Sequence, residues 1–279
     1  GSNFRSGKHS MEITDEGIKV YPRLEIPPSR EEYSLEQISS GMPEVDEMLM
    51  GGLERGTVTL ISGPTGVGKT SLGLQFIKEA AGRGKRSAVY LFEEDKNLLI
   101  KRTQNINIPV KNMIEEGNLI INQIEPLHQT ADQFAYHIKR EVEENGTEIV
   151  LIDSINGYQL SFKGEELQDK IFSLCQYFRK LGVTALVTNE VSRITGDFQV
   201  SETGISFTID NVIFMRYLEM EGQLKKAIGV LKKRISDFER NFREWNITQH
   251  GIKVGQPLTE LRGILTGNPE WLNSNREES

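Results

Sequence analysis

Short apolar runs alternate with longer amphipathic stretches through the centre of the chain. The short runs are rich in Val, Ile and Leu, and the longer stretches repeat apolar residues at helical spacing. This alternation predicts an α/β fold with a central, mostly parallel sheet that is flanked by helices on both faces. The predicted strands cover residues 57–62, 88–92, 119–122, 149–153 and 185–189, and the predicted helices begin near residues 69, 96, 130 and 165.

Two later apolar runs, residues 211–220 and 224–231, are joined across Glu221-Gly222. A short turn with glycine between two strands predicts a β-hairpin. We expect this C-terminal hairpin to extend the sheet in antiparallel fashion.

The pattern divides the chain into one main domain, residues 33–254, and two flanking segments. Residues 1–32 are polar and contain three prolines, which disfavour regular structure, so this segment is predicted to be an extension or linker. Residues 255–279 form a tail rich in Gly, Pro and Asn.

One segment of the sequence occurs twice. Residues 13–20 read ITDEGIKV and residues 247–254 read ITQHGIKV, with six of eight positions identical. Repeated segments usually mark repeated units. We therefore interpret residues 1–32 as containing the end of a preceding copy of the same domain, although a chance match remains an alternative.

Composition and charge narrow the possible functions. The 279 residues carry a formal net charge of -7, which disfavours nucleic acid as a partner unless basic residues gather on one surface. No apolar run approaches the ~20 residues that a membrane span requires. The chain has a single cysteine, Cys175, and it falls on an apolar helical stripe, which predicts a core thiol. We expect a cytoplasmic protein without a membrane partner.

A phosphate-binding motif follows the strand at residues 57–62. Residues 63–70, GPTGVGKT, match G-x-x-x-x-G-K-[ST], in which backbone N–H groups and a helix N-terminus hold phosphate oxygens. The alternative is a glycine-rich turn that only links a strand to a helix. The motif predicts ATP and Mg²⁺ as cofactors, with the nucleotide bound by Gly63, Thr65, Gly66, Val67, Gly68, Lys69, Thr70 and Ser71.

Carboxylates at the ends of two other strands are candidates for catalysis. Asp153 ends an apolar strand and is predicted to hold Mg²⁺ together with the Thr70 hydroxyl. Glu93 is the first candidate for the general base, with Glu94 beside it, because hydrolysis needs a carboxylate near the γ-phosphate. We expect their strand to lie next to the phosphate-loop strand. Alternatively, Asp153 only caps the next helix, and Glu93 and Glu94 are a solvated helix start.

In combination, these motifs resemble the RecA-superfamily P-loop ATPases of the KaiC family. The resemblance covers most of residues 33–254 and is far more specific than the phosphate loop alone. It is carried by residues 40–53, 63–70, 92–94, 152–154 and 227–236.

The resemblance implies a RecA-like fold and a homo-oligomer, a hexameric ring with ATP held between subunits, often built from two fused copies of the domain. It places the paired catalytic glutamates on Glu93 and Glu94 and a trans-acting Lys-x-Arg on Lys232 and Arg234. Alternatively, residues 232–234 are only a soluble basic edge that protects the sheet from further pairing. Asn189 falls where such proteins carry a polar γ-phosphate sensor. A further protein partner is implied but not identified.

The chain departs from the family pattern at several positions. A frequent histidine is replaced by Phe238, and of two adjacent phosphate-accepting hydroxyl residues in the clock members only Ser206 remains, because its neighbour is Phe207. Ser206 is therefore the candidate phosphoacceptor, with Thr203 and Thr208 as nearby alternatives.

The main functional prediction is an ATPase that works at subunit interfaces, with Ser/Thr autokinase activity as an additional expectation. One alternative is a nucleotide-gated assembly module with negligible turnover. The other is a RecA- or RadA-like DNA-binding recombinase, which the acidic character of residues 190–208 disfavours. The four histidines are scattered, so no transition-metal site is expected.

Overall fold

The computed structural model describes residues 9–26, 36–162, 166–191, 208–220, 222–266 and 269–272. Its core is a sheet of nine strands. In chain order these strands are β5 (Val58–Gly63), β6 (Ser87–Leu91), β7 (Leu119–Gln123), β8 (Ile149–Asp153), β9 (Thr184–Glu190), β10 (Asn211–Met220), β11 (Gln223–Lys233), β12 (Arg243–Thr248) and β13 (Gly251–Pro257). The predicted α/β class is confirmed.

The smaller strands lie outside this sheet and pair among themselves. They are β1 (Ser10–Thr14) with β2 (Gly17–Tyr21), β3 (Gln37–Ile38) with β4 (Leu53–Glu54), and β14 (Leu261–Arg262) with β15 (Glu270–Trp271). A short 3-10 helix covers Ile264–Thr266.

The strand order in the large sheet is β13-β12-β11-β10-β5-β9-β8-β6-β7. Strands β5 to β10 pair in parallel, whereas β10 to β13 pair in antiparallel fashion, so the predicted hairpin does extend the sheet. Strands β12 and β13 were not among the predicted elements. The phosphate-loop strand β5 lies near the centre, between β10 and β9.

Helices cover both faces of the sheet because alternate strand residues face opposite ways. In β8, Ile149 and Leu151 join one apolar cluster while Val150 and Ile152 join the other. The first cluster lies under α1 (Pro43–Met48), α2 (Lys69–Gly82), α3 (Lys96–Gln104) and α4 (Val110–Glu115). The second lies under α5 (Ala131–Asn145), α6 (Ile155–Ser161) and α7 (Leu167–Leu181).

The second helical layer contains the single cysteine of the chain. Cys175 is buried in α7, and burial raises the pKa of its thiol to about 12, as expected for a core cysteine. In the described part of the chain, no helix combines the length and the apolar character needed to cross a bilayer.

The N-terminal segment is more regular than its prolines predicted. Strands β1 and β2 form a hairpin that ends at Tyr21, one residue before the first proline. The hairpin packs on α5: Ser10 donates to Asp132 at 2.9 Å, and the rings of Tyr21 and Tyr136 meet edge to face at 5.4 Å. Residues 9–21 are therefore an ordered hairpin, since proline restricts only its own position and the preceding one.

Candidate functional site

The phosphate loop connects β5 to α2 at the carboxyl edge of the parallel strands. Gly66 and Gly68 have φ of +75° and +117°, a region that favours glycine. Gly68 stands at the N-cap of α2, and no side chain of the described residues caps that end of the helix. The first N–H groups of α2 therefore remain available to an anion, and the helix dipole favours negative charge there.

Lys69, the first residue of α2, lies over this loop. Its ammonium group donates to the backbone oxygens of Gly63 and Pro64, each at 2.8 Å. Burial lowers the pKa of Lys69, and the carboxylates of Glu190, Asp153 and Glu93 oppose that shift. The side chain is thus enclosed by acidic groups at the position where phosphate oxygens are expected.

Asp153 ends β8 and faces the start of α2. Its Oδ2 accepts a hydrogen bond from Thr70 at 2.8 Å, and its Oδ1 accepts one from Thr188. Burial raises the pKa of Asp153, while both hydroxyl donors lower it. A hydroxyl and a carboxylate that already touch are a donor set suited to Mg²⁺, which prefers oxygen ligands. Among the described residues, no group of three or more His, Cys, Asp or Glu side chains could hold a metal ion.

Glu93 follows β6 and reaches the same edge. Its Oε2 accepts from the hydroxyl of Ser154 at 3.2 Å, and burial raises the pKa of the Glu93 carboxyl. Gly157 permits this approach, because a Cβ there would stand 2.5 Å from the Cβ of Phe92. A partly desolvated carboxyl with a raised pKa suits a general base.

The expected position of the Glu93 strand was wrong. Strand β6 is not adjacent to the phosphate-loop strand, since β9 and β8 lie between them. Glu93 still reaches the site because its strand, β6, pairs with β8. Leu91 of β6 lies opposite Asp153 of β8, so the two strands end side by side.

Glu94 has a different partner from Glu93. Arg102 on α3 binds both of its carboxylate oxygens, at 2.5 and 2.8 Å, and Arg102 also lies 3.4 Å from the Ser71 hydroxyl on α2. The two adjacent glutamates therefore have different partners: a serine hydroxyl for Glu93 and a guanidinium for Glu94.

The end of β9 contributes two side chains on opposite faces. Asn189 is buried, and its amide donates to the Ser62 hydroxyl at 3.2 Å, one residue before the phosphate loop; its role as a γ-phosphate sensor stays a prediction. The carboxylate of Glu190 accepts a hydrogen bond from the Thr65 hydroxyl in the loop itself. Glu190 was not predicted from the sequence, although strand alternation puts it on the same face as Thr188.

Three more side chains contact the loop and were not predicted from the sequence. Trp245 donates its indole N–H to Val67 O at 3.1 Å, Tyr217 donates to Thr65 O at 3.3 Å, and Lys226 donates to Gly66 O at 3.0 Å. All three come from β10 to β12, the antiparallel extension, so their contact with the loop depends on strand order rather than on a local motif.

Lys232 and Arg234 lie away from this edge. Arg234 is half-exposed and forms an ion pair with Asp210 at 3.0 Å, and Asp210 also accepts from the backbone N–H of Val58, the first residue of β5. Lys232 donates to Ile209 O at 2.6 Å. Both cations therefore stand towards the amino end of β5, whereas the phosphate loop follows its carboxyl end. Ser206, Thr203 and Phe207 lie outside the described residues.

Comparison with known proteins identifies the family. The model of a family described as the KaiC ATPase matches residues 38–259. The chain belongs to the KaiC family of ATPases. At the level of the family, this membership supports ATP binding and ATPase activity.

Individual relatives agree with the family match. The circadian clock oscillator protein KaiC of Acaryochloris marina is 27% identical over 269 residues, which is 96% of this chain and 51% of the relative. The circadian clock protein KaiC3 of Synechocystis is 27% identical over 272 residues, which is 97% of this chain and 54% of the relative. The chain thus spans about half the length of the curated KaiC proteins that it matches.

Proposed function

We propose that this chain is an ATP-hydrolysing KaiC unit that works at the subunit interfaces of a homo-oligomeric, hexameric ring. The observation that carries the proposal is the separation of its charged groups. Lys69, Thr70, Asp153 and Glu93 gather at the carboxyl edge of the sheet, and Lys232 and Arg234 stand towards the amino end of β5. This separation supports a site that a neighbouring subunit completes.

Within one subunit, the residues have distinct tasks. The N–H groups of the loop, whose turn contains Gly63, Gly66 and Gly68, would hold the phosphates together with Ser71 in the first turn of α2, and Lys69 would exchange its loop carbonyls for phosphate oxygens. Thr70 and Asp153 would hold Mg²⁺, which when bound supplies charge neutralisation. Glu93 would accept the proton of the attacking water, and the Ser154 hydroxyl would hold the Glu93 carboxylate in place.

The neighbouring subunit would complete the site with its Lys232 and Arg234. Lys232 is near the end of β11 and Arg234 follows the last residue of that strand, so both cations lie at the same end of β11. A guanidinium supplied in trans stabilises charge on the transferred phosphoryl group. In the isolated chain Arg234 is held by Asp210, which also binds Arg179 at 3.0 Å, so Asp210 keeps a partner when Arg234 turns to another subunit.

Mixed oligomers test the shared site. Lys69→Ala is expected to abolish ATP binding in calorimetry, and Arg234→Ala to bind ATP but lose ~10³-fold or more in hydrolysis rate. Lys78→Ala, also on α2 but bonded to Asn107 O, is the control that retains both properties. Activity should partly return when the two inactive variants are combined. A complete lack of recovery in verified mixed rings would contradict the trans role.

Autophosphorylation is a further part of the proposal. Ser206 is the proposed acceptor, since Phe207 offers no hydroxyl. Incubation with ATP followed by mass spectrometry should then find weak labelling at Ser206, and strong labelling elsewhere would reject this choice.

We also propose that residues 1–32 contain the end of a preceding KaiC-like unit. The repeated sequence segments adopt the same structure: Ile13 pairs with Ile18 and Ile247 with Ile252, each next to the Thr–Gly pair that closes the turn of its hairpin. In both hairpins the threonine hydroxyl before the turn donates to the glycine oxygen after it, at 2.9 and 3.0 Å. Shared register and shared turn chemistry support duplication over a chance match.

We also expect a protein partner for the assembly.

A further inference from the structure

The two adjacent glutamates at the end of β6 have hydrogen-bond donors of different kinds, a neutral hydroxyl for Glu93 and a charged guanidinium for Glu94. Within the described part of the chain, Glu93 accepts a hydrogen bond from the neutral Ser154 hydroxyl at 3.2 Å. Glu94 accepts hydrogen bonds from the Arg102 guanidinium at 2.5 and 2.8 Å. The Nε and Nη2 groups of Arg102 engage both carboxylate oxygens of Glu94, and such a paired, charge-assisted contact fixes the orientation of the carboxylate.

The position of Arg102 makes this pairing relevant to the site. Arg102 is at the end of α3, and its third contact is the hydroxyl of Ser71, the residue after Thr70 on α2. The Arg102–Glu94 pair therefore stands beside the start of the phosphate-loop helix. The side chains of Arg102 and Glu94 are 34% and 22% exposed, so the pair is partly shielded from solvent.

We propose that Arg102 is a positioning residue that holds Glu94 away from the attacking water and so assigns the general-base role to Glu93 alone. This inference rests on the proposed ATPase function and deepens it. Glu94 then serves as a link from the end of β6 through Arg102 to Ser71 on α2.

A rescue experiment tests the assignment. Glu93→Gln should lower kcat for ATP hydrolysis by ~10² while KM changes little, since the base acts on the chemical step. Removing the guanidinium in the same chain, Glu93→Gln with Arg102→Gln, releases Glu94 beside the site. We expect kcat of this double variant to rise at least ~10-fold above that of Glu93→Gln. A purely structural Arg102 would instead make the double variant slower.

Two matched variants complete the design. Lys101→Gln removes the adjacent, exposed cation of α3, and in combination with Glu93→Gln it should give no recovery. Arg102→Lys with Glu93→Gln retains the charge but loses the paired Nε and Nη2 contacts with Glu94. Its kcat should fall between that of Glu93→Gln alone and that of Glu93→Gln with Arg102→Gln. Binding of a fluorescent ATP analogue verifies that each variant keeps its nucleotide site.

The outcomes separate this inference from the proposed function. If the parent chain hydrolyses ATP and Glu93→Gln is slow, but the Arg102→Gln double variant is no faster while binding the analogue normally, the inference is wrong and the ATPase assignment stands. Equal losses of kcat for Glu93→Gln and Glu94→Gln would also overturn it. If the parent oligomer shows no hydrolysis, the proposed function itself fails.

Discussion

Ile13 lies opposite Ile18 in the first hairpin as Ile247 lies opposite Ile252 in the last, and Met11 opposite Val20 matches Trp245 opposite Val254. The surroundings of these matched pairs differ. Ile13 and Ile18 are 84% and 68% exposed, and Met11 and Val20 are exposed as well.

In the last hairpin the equivalent face is covered. Trp245 is fully buried, and Ile247, Ile252 and Val254 pack against the cluster that also contains α2. A Cβ on Gly68 would meet Ile247 at 2.7 Å and Trp245 at 2.8 Å, so this face lies directly on the phosphate loop. The repeated pattern therefore encodes a hairpin with one apolar face, while burial of that face depends on whether a phosphate-loop unit is beside it.

The largest expected difference between the hairpins is at the matched positions Trp245 and Met11. Trp245→Ala should lower the free energy of unfolding by about 3–5 kcal/mol, because a buried indole leaves a cavity and Val67 O loses its donor. Met11→Ala should change it by less than about 0.5 kcal/mol. Urea denaturation measures both, and similar losses for the two variants would refute the comparison.

The paired isoleucines should give a smaller difference. Ile247→Ser with Ile252→Ser is expected to lower the free energy of unfolding by about 2–4 kcal/mol, since both side chains are half-buried. Ile13→Ser with Ile18→Ser should cost less than about 0.5 kcal/mol in this chain. A loss above 2 kcal/mol in the first hairpin would mean that its face is covered in solution. Thermal unfolding at several protein concentrations would show whether another copy covers it.

The smallest effect is expected at the turns. Gln249→Asp with His250→Glu makes residues 247–254 identical to residues 13–20. Both side chains are exposed, so the free energy of unfolding should change by less than about 0.5 kcal/mol. A large loss would show that the two segments are not interchangeable, and would weaken the case for duplication.

The sequence predicted local features of the fold better than distant contacts. Periodicity located the five parallel strands and the hairpin at residues 211–231 to within one or two residues, because alternating burial leaves a direct trace in the pattern. It did not locate β12 and β13 or the short helices α1, α4 and α6. It also placed β6 beside β5, since the order of parallel strands is set by crossover connections and not by the strands themselves.

The same limit applies to the candidate site. The phosphate loop and the carboxylates Asp153 and Glu93 could be predicted because a contiguous motif or a strand end marks each of them. Arg102 could not, because its contact with Glu94 depends on how α3 folds back. The predictions for Lys232 and Arg234 remain predictions, since the structure separates them from the phosphate loop and a neighbouring subunit is needed to test them.

Lys69 already satisfies two of its three N–H groups with the carbonyls of Gly63 and Pro64. ATP binding is therefore an exchange of hydrogen-bond partners rather than a net gain, and the number of bonds made by the ammonium group need not rise. The measured affinity would then report how much better a charged phosphate oxygen is than a neutral carbonyl. It follows that an uncharged isostere of the terminal phosphate should lose most of the lysine's contribution even where its shape fits the loop.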